Sequence, residues 1–185
     1  IHAVHARIVV DSGAYSAKTS TGAIEANMAA NVLLGPYDIP NYRFETTAVY
    51  TNKSPVGPFR GVGRPAACFA MERILDEVAH ALNKDPVSVR RRNLIGAERF
   101  PFTTPTGLYY DSGDYQACLD AAEKHANAWP VRADDERYVH GIGFAMYVEQ
   151  AAHGAVEWNR RGSAYIYGHE TARATLTPGG ELILD

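Results

Sequence analysis

The 185-residue sequence is 46% hydrophobic and 21% charged, with a formal net charge of −3. That composition suits an ordinary globular domain and offers no electrostatic footprint for nucleic acid or another polyanionic partner. A chain of this size buries about 70% of its unfolded surface and needs no covalent staple. No run of about 20 apolar residues could form a membrane span, and the N-terminus lacks the basic and apolar regions of a secretory signal.

Ile1 opens inside a strand-like run and Asp185 follows Leu182-Ile183-Leu184, so both ends read as cut from a longer chain. Cys68 and Cys118 lie far apart among apolar periodic positions, which favours two small buried thiols over a disulfide and fits a reducing, cytoplasmic setting.

Along the chain, β-branched residues from Ala3 to Val10 predict a strand that leaves through Asp11-Ser12-Gly13. The alanine- and leucine-rich run Gly22–Leu34 predicts a helix stopped by Gly35-Pro36. Phe44, Thr46, Ala48 and Tyr50 share one face of a second strand over Tyr42–Tyr50. After the glycine-rich run ending at Pro65, Ala67, Met71, Ile74, Val78 and Leu82 recur at helical spacing, with Pro65 at the start where its missing N–H costs nothing.

Asp85-Pro86 reads as an N-cap with proline at the first helical position, opening a short basic helix whose Arg90, Arg91 and Arg92 form a solvated or docking face. Asp114 caps a further helix with an apolar stripe of Tyr115, Cys118, Leu119, Ala122 and Ala126, closed by Trp129-Pro130. Strands follow at Ile142–Glu149 and Ala164–Tyr167, with a hairpin about Pro178-Gly179-Gly180; Gly154–Gly162 is the most loop-like stretch. Intermixed helices and strands predict one α+β domain piece over residues 1–185, with helices packed on mixed sheet.

The segment Phe59-Arg60-Gly61-Val62-Gly63-Arg64-Pro65 places two glycines between arginines just before a helix. Glycines let backbone approach a flat or anionic ligand, a helix start offers unpaired N–H groups, and arginine adds a fork of donors. On the residues alone a structural turn is the favoured reading, since glycine-rich turns before helices are common. The run is neither a Walker loop nor a dinucleotide fingerprint. Seven scattered histidines make no ligand set, and two cysteines cannot supply the four thiolates of an iron–sulfur cluster, so no side-chain metal site is predicted. Glu72, Glu77 and Glu149 read as lone carboxylates on solvated or helix-facing positions.

Taken in order, Asp11-Ser-Gly-Ala-Tyr15, Gly35-Pro-Tyr-Asp-Ile-Pro40, Tyr50-Thr-Asn-Lys53, Pro58-Phe-Arg-Gly-Val-Gly-Arg-Pro65, Glu72-Arg73, Asp85-Pro86, Arg90-Arg-Arg-Asn-Leu94, Tyr110-Asp-Ser-Gly-Asp-Tyr115 and Gly141-Ile-Gly143 carry a family likeness. The chain resembles the large subunit of the molybdenum hydroxylases, the family of xanthine dehydrogenase, aldehyde oxidase and carbon monoxide dehydrogenase. The resemblance implies an internal fragment of the molybdopterin-binding domain. It implies a molybdenum–molybdopterin cofactor in its cytosine dinucleotide form, with FAD and 2Fe-2S clusters on partner subunits or domains.

It further implies a full-length dimer of heterotrimers acting on a small-molecule substrate, with water as the source of oxygen. The family's base is a glutamate near the C-terminus of the full subunit, so no catalytic residue is assigned in this fragment and none of it is active alone. By resemblance, Phe59, Arg60, Gly61, Val62 and Gly63 contact the cofactor, and Val62 and Phe144 wall the substrate. Gly61 stands where the carbon monoxide-oxidising branch has a copper-binding cysteine, and Met28 where the xanthine-oxidising branch has a substrate-binding arginine; aldehydes or aromatic heterocycles are the implied substrates. A non-catalytic assembly module and a nucleotide-binding domain are the competing readings.

Overall fold

A computed structural model describes residues 1–15, 21–130, 134–150, 154, 159 and 171–184. They divide into two compact units, Ile1–Val148 and Glu149–Asp185. The first opens with β1 (Ala3–Asp11) and continues through α1 (Thr21–Val32) to β2 (Asn41–Val49). The two strands pair in parallel, in unbroken register from Ala3 opposite Asn41 to Asp11 opposite Val49. Parallel pairing requires a crossover of a dozen or more residues, and α1 supplies it. On one face Val4, Ala6, Ile8 and Tyr42 pack toward the core, and the Tyr42 hydroxyl donates to the Ala30 carbonyl at 2.8 Å, tying β2 to α1.

Beyond the glycine-rich run, α2 (Arg64–Ala81) and α3 (Pro86–Asn93) build the rest of the core. The buried line on α2 is Ala67, Met71, Leu75 and Ala79, together with Glu72. Ile74 and Leu82, expected on the inward stripe, are 42% and 61% exposed. Ala67 and Met71 of that stripe are buried and Val78 packs against the core, but the buried face is rotated toward Glu72, a charged residue that apolarity alone counts as outward. Asp85 caps α3 by accepting the Ser88 N–H at 2.6 Å, and that bond holds its carboxyl below the ordinary value.

The three arginines of α3 do not share one fate. Arg92 is exposed, Arg91 docks α4 (Tyr115–Asn127) through Asp120 and Glu123, and Arg90 is wholly buried. A single solvated or docking face is therefore incorrect for Arg90. On α4 only Leu119 is buried and Cys118 is exposed, so the expected buried thiol at 118 is not found; Cys68 is half-buried and both cysteines are free.

A short hairpin, β3 (Phe102–Thr103) with β4 (Tyr109–Tyr110), reaches back to the end of α1. There the Tyr110 hydroxyl donates to the Gly35 carbonyl at 3.1 Å and the Thr106 hydroxyl to that of Asn31 at 2.8 Å. Residues 142–148 are not laddered with any described strand, contrary to the expected strand, although Phe144, Met146 and Val148 alternate as half-buried residues. In the second unit β5 (Ala174–Leu176) pairs antiparallel with β6 (Leu182–Leu184) around the anticipated turn. The strand anticipated at 164–167 lies outside the described residues. Helices with small two-stranded ladders, one parallel and two antiparallel, make an α+β architecture without a single mixed sheet among the described residues.

Candidate cofactor-binding loop

Residues 54–63 run between β2 and α2, and their last turn is held by backbone. The Val62 N–H donates to the Phe59 carbonyl at 2.9 Å, Arg64 N–H to Gly61 at 3.0 Å and Ala67 N–H to Gly63 at 3.0 Å. Gly61, Val62 and Gly63 have φ of 106°, 37° and 73°. Three successive positive values turn the chain sharply into α2. At Gly63 glycine is required by space as well as by φ, since a Cβ there would lie 2.5 Å from the Glu25 carbonyl oxygen and 2.8 Å from the Ala29 nitrogen, both backbone atoms of α1. Val62 is the strained member, because a β-branched residue at positive φ is an outlier held by its surroundings.

Phe59 is 84% exposed, and Arg60 is exposed without a hydrogen bond or ion pair among the described residues. The five residues expected to touch a cofactor thus form one loop that presents an aromatic face, a guanidinium and Cβ-free backbone beside a helix start. That set can receive a flat, anionic group.

The loop's entry is laced to the end of β1. Ser12 N–H donates to Val49 at 2.8 Å, Thr51 N–H to Gly13 at 3.0 Å, Ala14 N–H to Lys53 at 2.8 Å and Val56 N–H to Ser12 at 3.2 Å. The Asp11 carboxylate collects the Gly13 N–H at 2.9 Å, the Thr51 hydroxyl at 2.5 Å and the Lys53 ammonium at 2.5 Å. Led by the Lys53 bond, then those of Thr51 and Gly13, these donors hold its acidity at a pKa of about 2. Beside this junction an open cleft of 590 Å³ is lined by Ala14, Tyr15, Tyr50, Thr51 and Asn52.

Below the loop, α2 carries a buried polar cluster. Glu72 accepts the Tyr37 hydroxyl at 2.6 Å and Arg90 Nε at 2.7 Å, and Arg90 also meets Asp76 at 2.8 Å. Burial, reinforced by the Glu72 charge, drives the Tyr37 phenol far above its ordinary value. Burial works to lower the Arg90 pKa, but the hydrogen bonds to Glu72 and Asp76 outweigh it and raise it. Glu72 is accordingly no lone carboxylate. The signal that could have exposed Arg90 is its position three residues after the inward Val87, on the same face of a helix whose start Asp85 fixes.

Phe144 is half-buried and packs against the core cluster. Its neighbour Met146 accepts the Cys68 thiol at 3.9 Å, which brings the extended segment to the first turns of α2. Met28 is half-buried on α1, one residue from the Ala29 that abuts Gly63.

The family model of the molybdopterin cofactor-binding domain matches residues 1–94. Over its whole length the chain is 32% identical to the nicotine 6-hydroxylase large subunit of Paenarthrobacter nicotinovorans, of which it spans 23%. Over 77% of its length it is 36% identical to the carbon monoxide dehydrogenase large chain of Hydrogenophaga pseudoflava, spanning 19% of that protein. Among solved structures, 68% of the chain superposes on 16% of quinoline 2-oxidoreductase from Pseudomonas putida 86 with TM-score 0.65 and 36% identity. The chain therefore spans about a quarter or less of the proteins it matches. It belongs to the molybdopterin cofactor-binding domain family, and its relatives are large subunits of molybdenum hydroxylases.

Proposed function

We propose that residues 1–185 are one piece of the molybdopterin-binding domain of an oxidoreductase that hydroxylates aldehydes or aromatic heterocycles with oxygen from water. The observation that carries this reading is the loop Phe59–Gly63, open on its outer side and left-handed at Gly61, Val62 and Gly63, in a chain of this family. Its residues fit such a cofactor: Gly61 and Gly63 allow the tight turn that leaves the loop's outer side open, Phe59 offers a ring face, and exposed Arg60 offers guanidinium donors to an anionic group. When bound, the molybdenum–molybdopterin group, in our reading its cytosine dinucleotide form, supplies the redox centre that a protein side chain cannot.

Val62 and Phe144 are assigned to the substrate walls. Val62 extends from the same loop, and Phe144 lies on the segment that meets α2 at Cys68. A glycine at position 61 offers no thiol to copper, which argues against carbon monoxide as substrate. Half-buried Met28 has no charge or donor for a purine carbonyl, which argues against purines. Relatives named for nicotine and quinoline support a ring substrate.

The remaining assignments are FAD-binding and iron–sulfur partner subunits, a dimer of heterotrimers and a cytoplasmic location. The purified 185-residue chain is expected to hold no molybdenum and to show no activity. The test is to express the full-length subunit with its partners, measure molybdenum by mass spectrometry and assay a substrate panel. Molybdenum with turnover of aldehydes or pyridine-like rings supports the reading; a metal-free protein, or turnover confined to carbon monoxide or xanthine, refutes it.

A further inference from the structure

We infer that Asp11 is a positioning residue for the cofactor loop: its carboxylate fixes the loop's entry so that Phe59–Gly63 is held ready before a ligand arrives. The inference rests on the assignment of that loop proposed above.

Asp11 is the last residue of β1, and the donors it gathers come from two separate chain segments. One oxygen takes the Gly13 N–H and the Thr51 hydroxyl, and the other takes the Lys53 ammonium. Thr51 and Lys53 belong to the run that leaves β2 for the loop, so a single side chain clamps the β1 turn to the loop's first residues. Contact at that clamp is close. Gly13 has φ of 69°, and a Cβ on it would fall 2.1 Å from the Ser54 carbonyl oxygen, so the turn and the loop's entry lie backbone against backbone. Val56 N–H to the Ser12 carbonyl, 3.2 Å, is the last bond of this lacing.

The exit is fixed separately, by Gly63 against Glu25 and Ala29 of α1. Between the two anchors, residues 57–60 are exposed. A segment pinned at both ends loses less freedom on binding than one pinned at a single end, and a rigid cofactor gains from that. The Asp11 side chain is one-third exposed, and exposed ion pairs contribute little to global stability. The geometry thus assigns Asp11 an effect on the loop out of proportion to its effect on folding.

The experiment compares Asp11→Ala, Asp11→Asn and a control, Leu119→Ala in the core under α4, in the full-length subunit with its partners. Hydrogen–deuterium exchange of residues 54–63 is measured on metal-free protein, and molybdenum release on protein as purified. We expect Asp11→Ala to exchange at least fivefold faster across the loop and to release molybdenum at least fivefold faster. Leu119→Ala should lose more thermal stability yet leave both rates near wild type. Asp11→Asn keeps an acceptor for Gly13 and Thr51 and should recover part of the loss. Loop exchange at the wild-type rate in Asp11→Ala, or rates that follow thermal stability across all variants, would overturn the inference. Wild-type protein without molybdenum would refute the cofactor assignment instead, while loop exchange still decides the clamp.

Discussion

Arg90 and Glu72 form an ion pair of 2.7 Å in which the arginine side chain is fully buried and the glutamate 6% exposed. Tyr37 and Asp76 add to its hydrogen bonding, and Arg90 also donates to the Glu72 and Pro86 carbonyls, so the pair joins α2, α3 and the segment that follows α1. Without Arg90, Glu72 would be an uncompensated buried charge; without Glu72, Arg90 would keep Asp76 alone as its carboxylate partner.

Removal of one partner is expected to cost about 3–5 kcal/mol, whereas replacing both with apolar side chains of similar volume removes the unpaired charge and should cost much less. Glu72→Met and Arg90→Met should each be severely destabilising in urea unfolding. The double variant should recover a substantial part of the loss, and adding Tyr37→Phe, which deletes the orphaned hydroxyl, should recover about 1–3 kcal/mol more. A double variant whose loss is the simple sum of the singles would contradict the pairing.

The Asp11 carboxyl, with a pKa of about 2 against an ordinary 3.8, gives a pH signature. The folded state binds this proton more weakly than the unfolded chain does, so the group's stabilising contribution is complete above about pH 4 and is lost as pH falls toward about 2. Unfolding curves for wild type and Asp11→Asn should therefore be furthest apart above pH 4 and converge in acid. Because an exposed pair stabilises the fold little, the sharper readout is the titration of the Asp11 carboxyl itself by NMR, and a midpoint near the ordinary 3.8 would show that it is not tied to Lys53 and Thr51 in solution.

Gly61 and Gly63 are expected to separate by what their missing Cβ atoms would meet. At Gly63 the neighbours are backbone atoms of α1 at 2.5 and 2.8 Å, which cannot yield without moving the helix. At Gly61 they are the Pro65 ring carbons at 3.0 and 3.1 Å, where a small shift suffices. Gly63→Ala should destabilise by about 3 kcal/mol and Gly61→Ala by about 1–2, both including the cost of positive φ. Gly61→Ala in the full-length subunit should nevertheless lower molybdenum content markedly, because relieving the contact with Pro65 shifts the loop proposed to hold the cofactor. Equal thermal losses for the two variants would refute the assignment of different neighbours.

What was legible in the sequence depended on local covalent signals. Asp85 and Asp114 cap their helices as read, Gly35 with φ of 52° closes the segment after α1, and a hairpin turns between Leu176 and Leu182. The loop Phe59–Gly63 is visible from its glycines, and the cofactor role proposed for it rests on the order of motifs. Long-range facts stayed hidden. Nothing local says that β1 and β2 pair in parallel, that Arg90 is buried opposite Glu72, or that Cys118 faces out. Strands of two residues, such as β3 and β4 between Pro101 and Pro105 and beyond, leave no periodicity to read. The Asp11 clamp joins positions 40 and 42 residues apart and was seen only as part of a motif.

Val62 offers the most direct test of the pocket. Its φ of 37° penalises a β-branched side chain more than an unbranched one, so Val62→Phe should fold at least as well as wild type despite the larger ring. In the full-length enzyme that ring would extend from the loop into the space proposed for substrate. Overpacking a formed site costs typically about 1–3 kcal/mol, which at about 1.4 kcal/mol per factor of ten means roughly a 5- to 150-fold loss. The loss should fall on kcat/KM for bicyclic heterocycles, while small aldehydes, which do not reach that wall, should lose less than about threefold by the same reasoning. Steady-state kinetics on one bicyclic and one small aldehyde substrate measures both. An equal fall for the two would place Val62 away from the substrate, and an unchanged preference together with faster molybdenum release would assign its side chain to the cofactor alone.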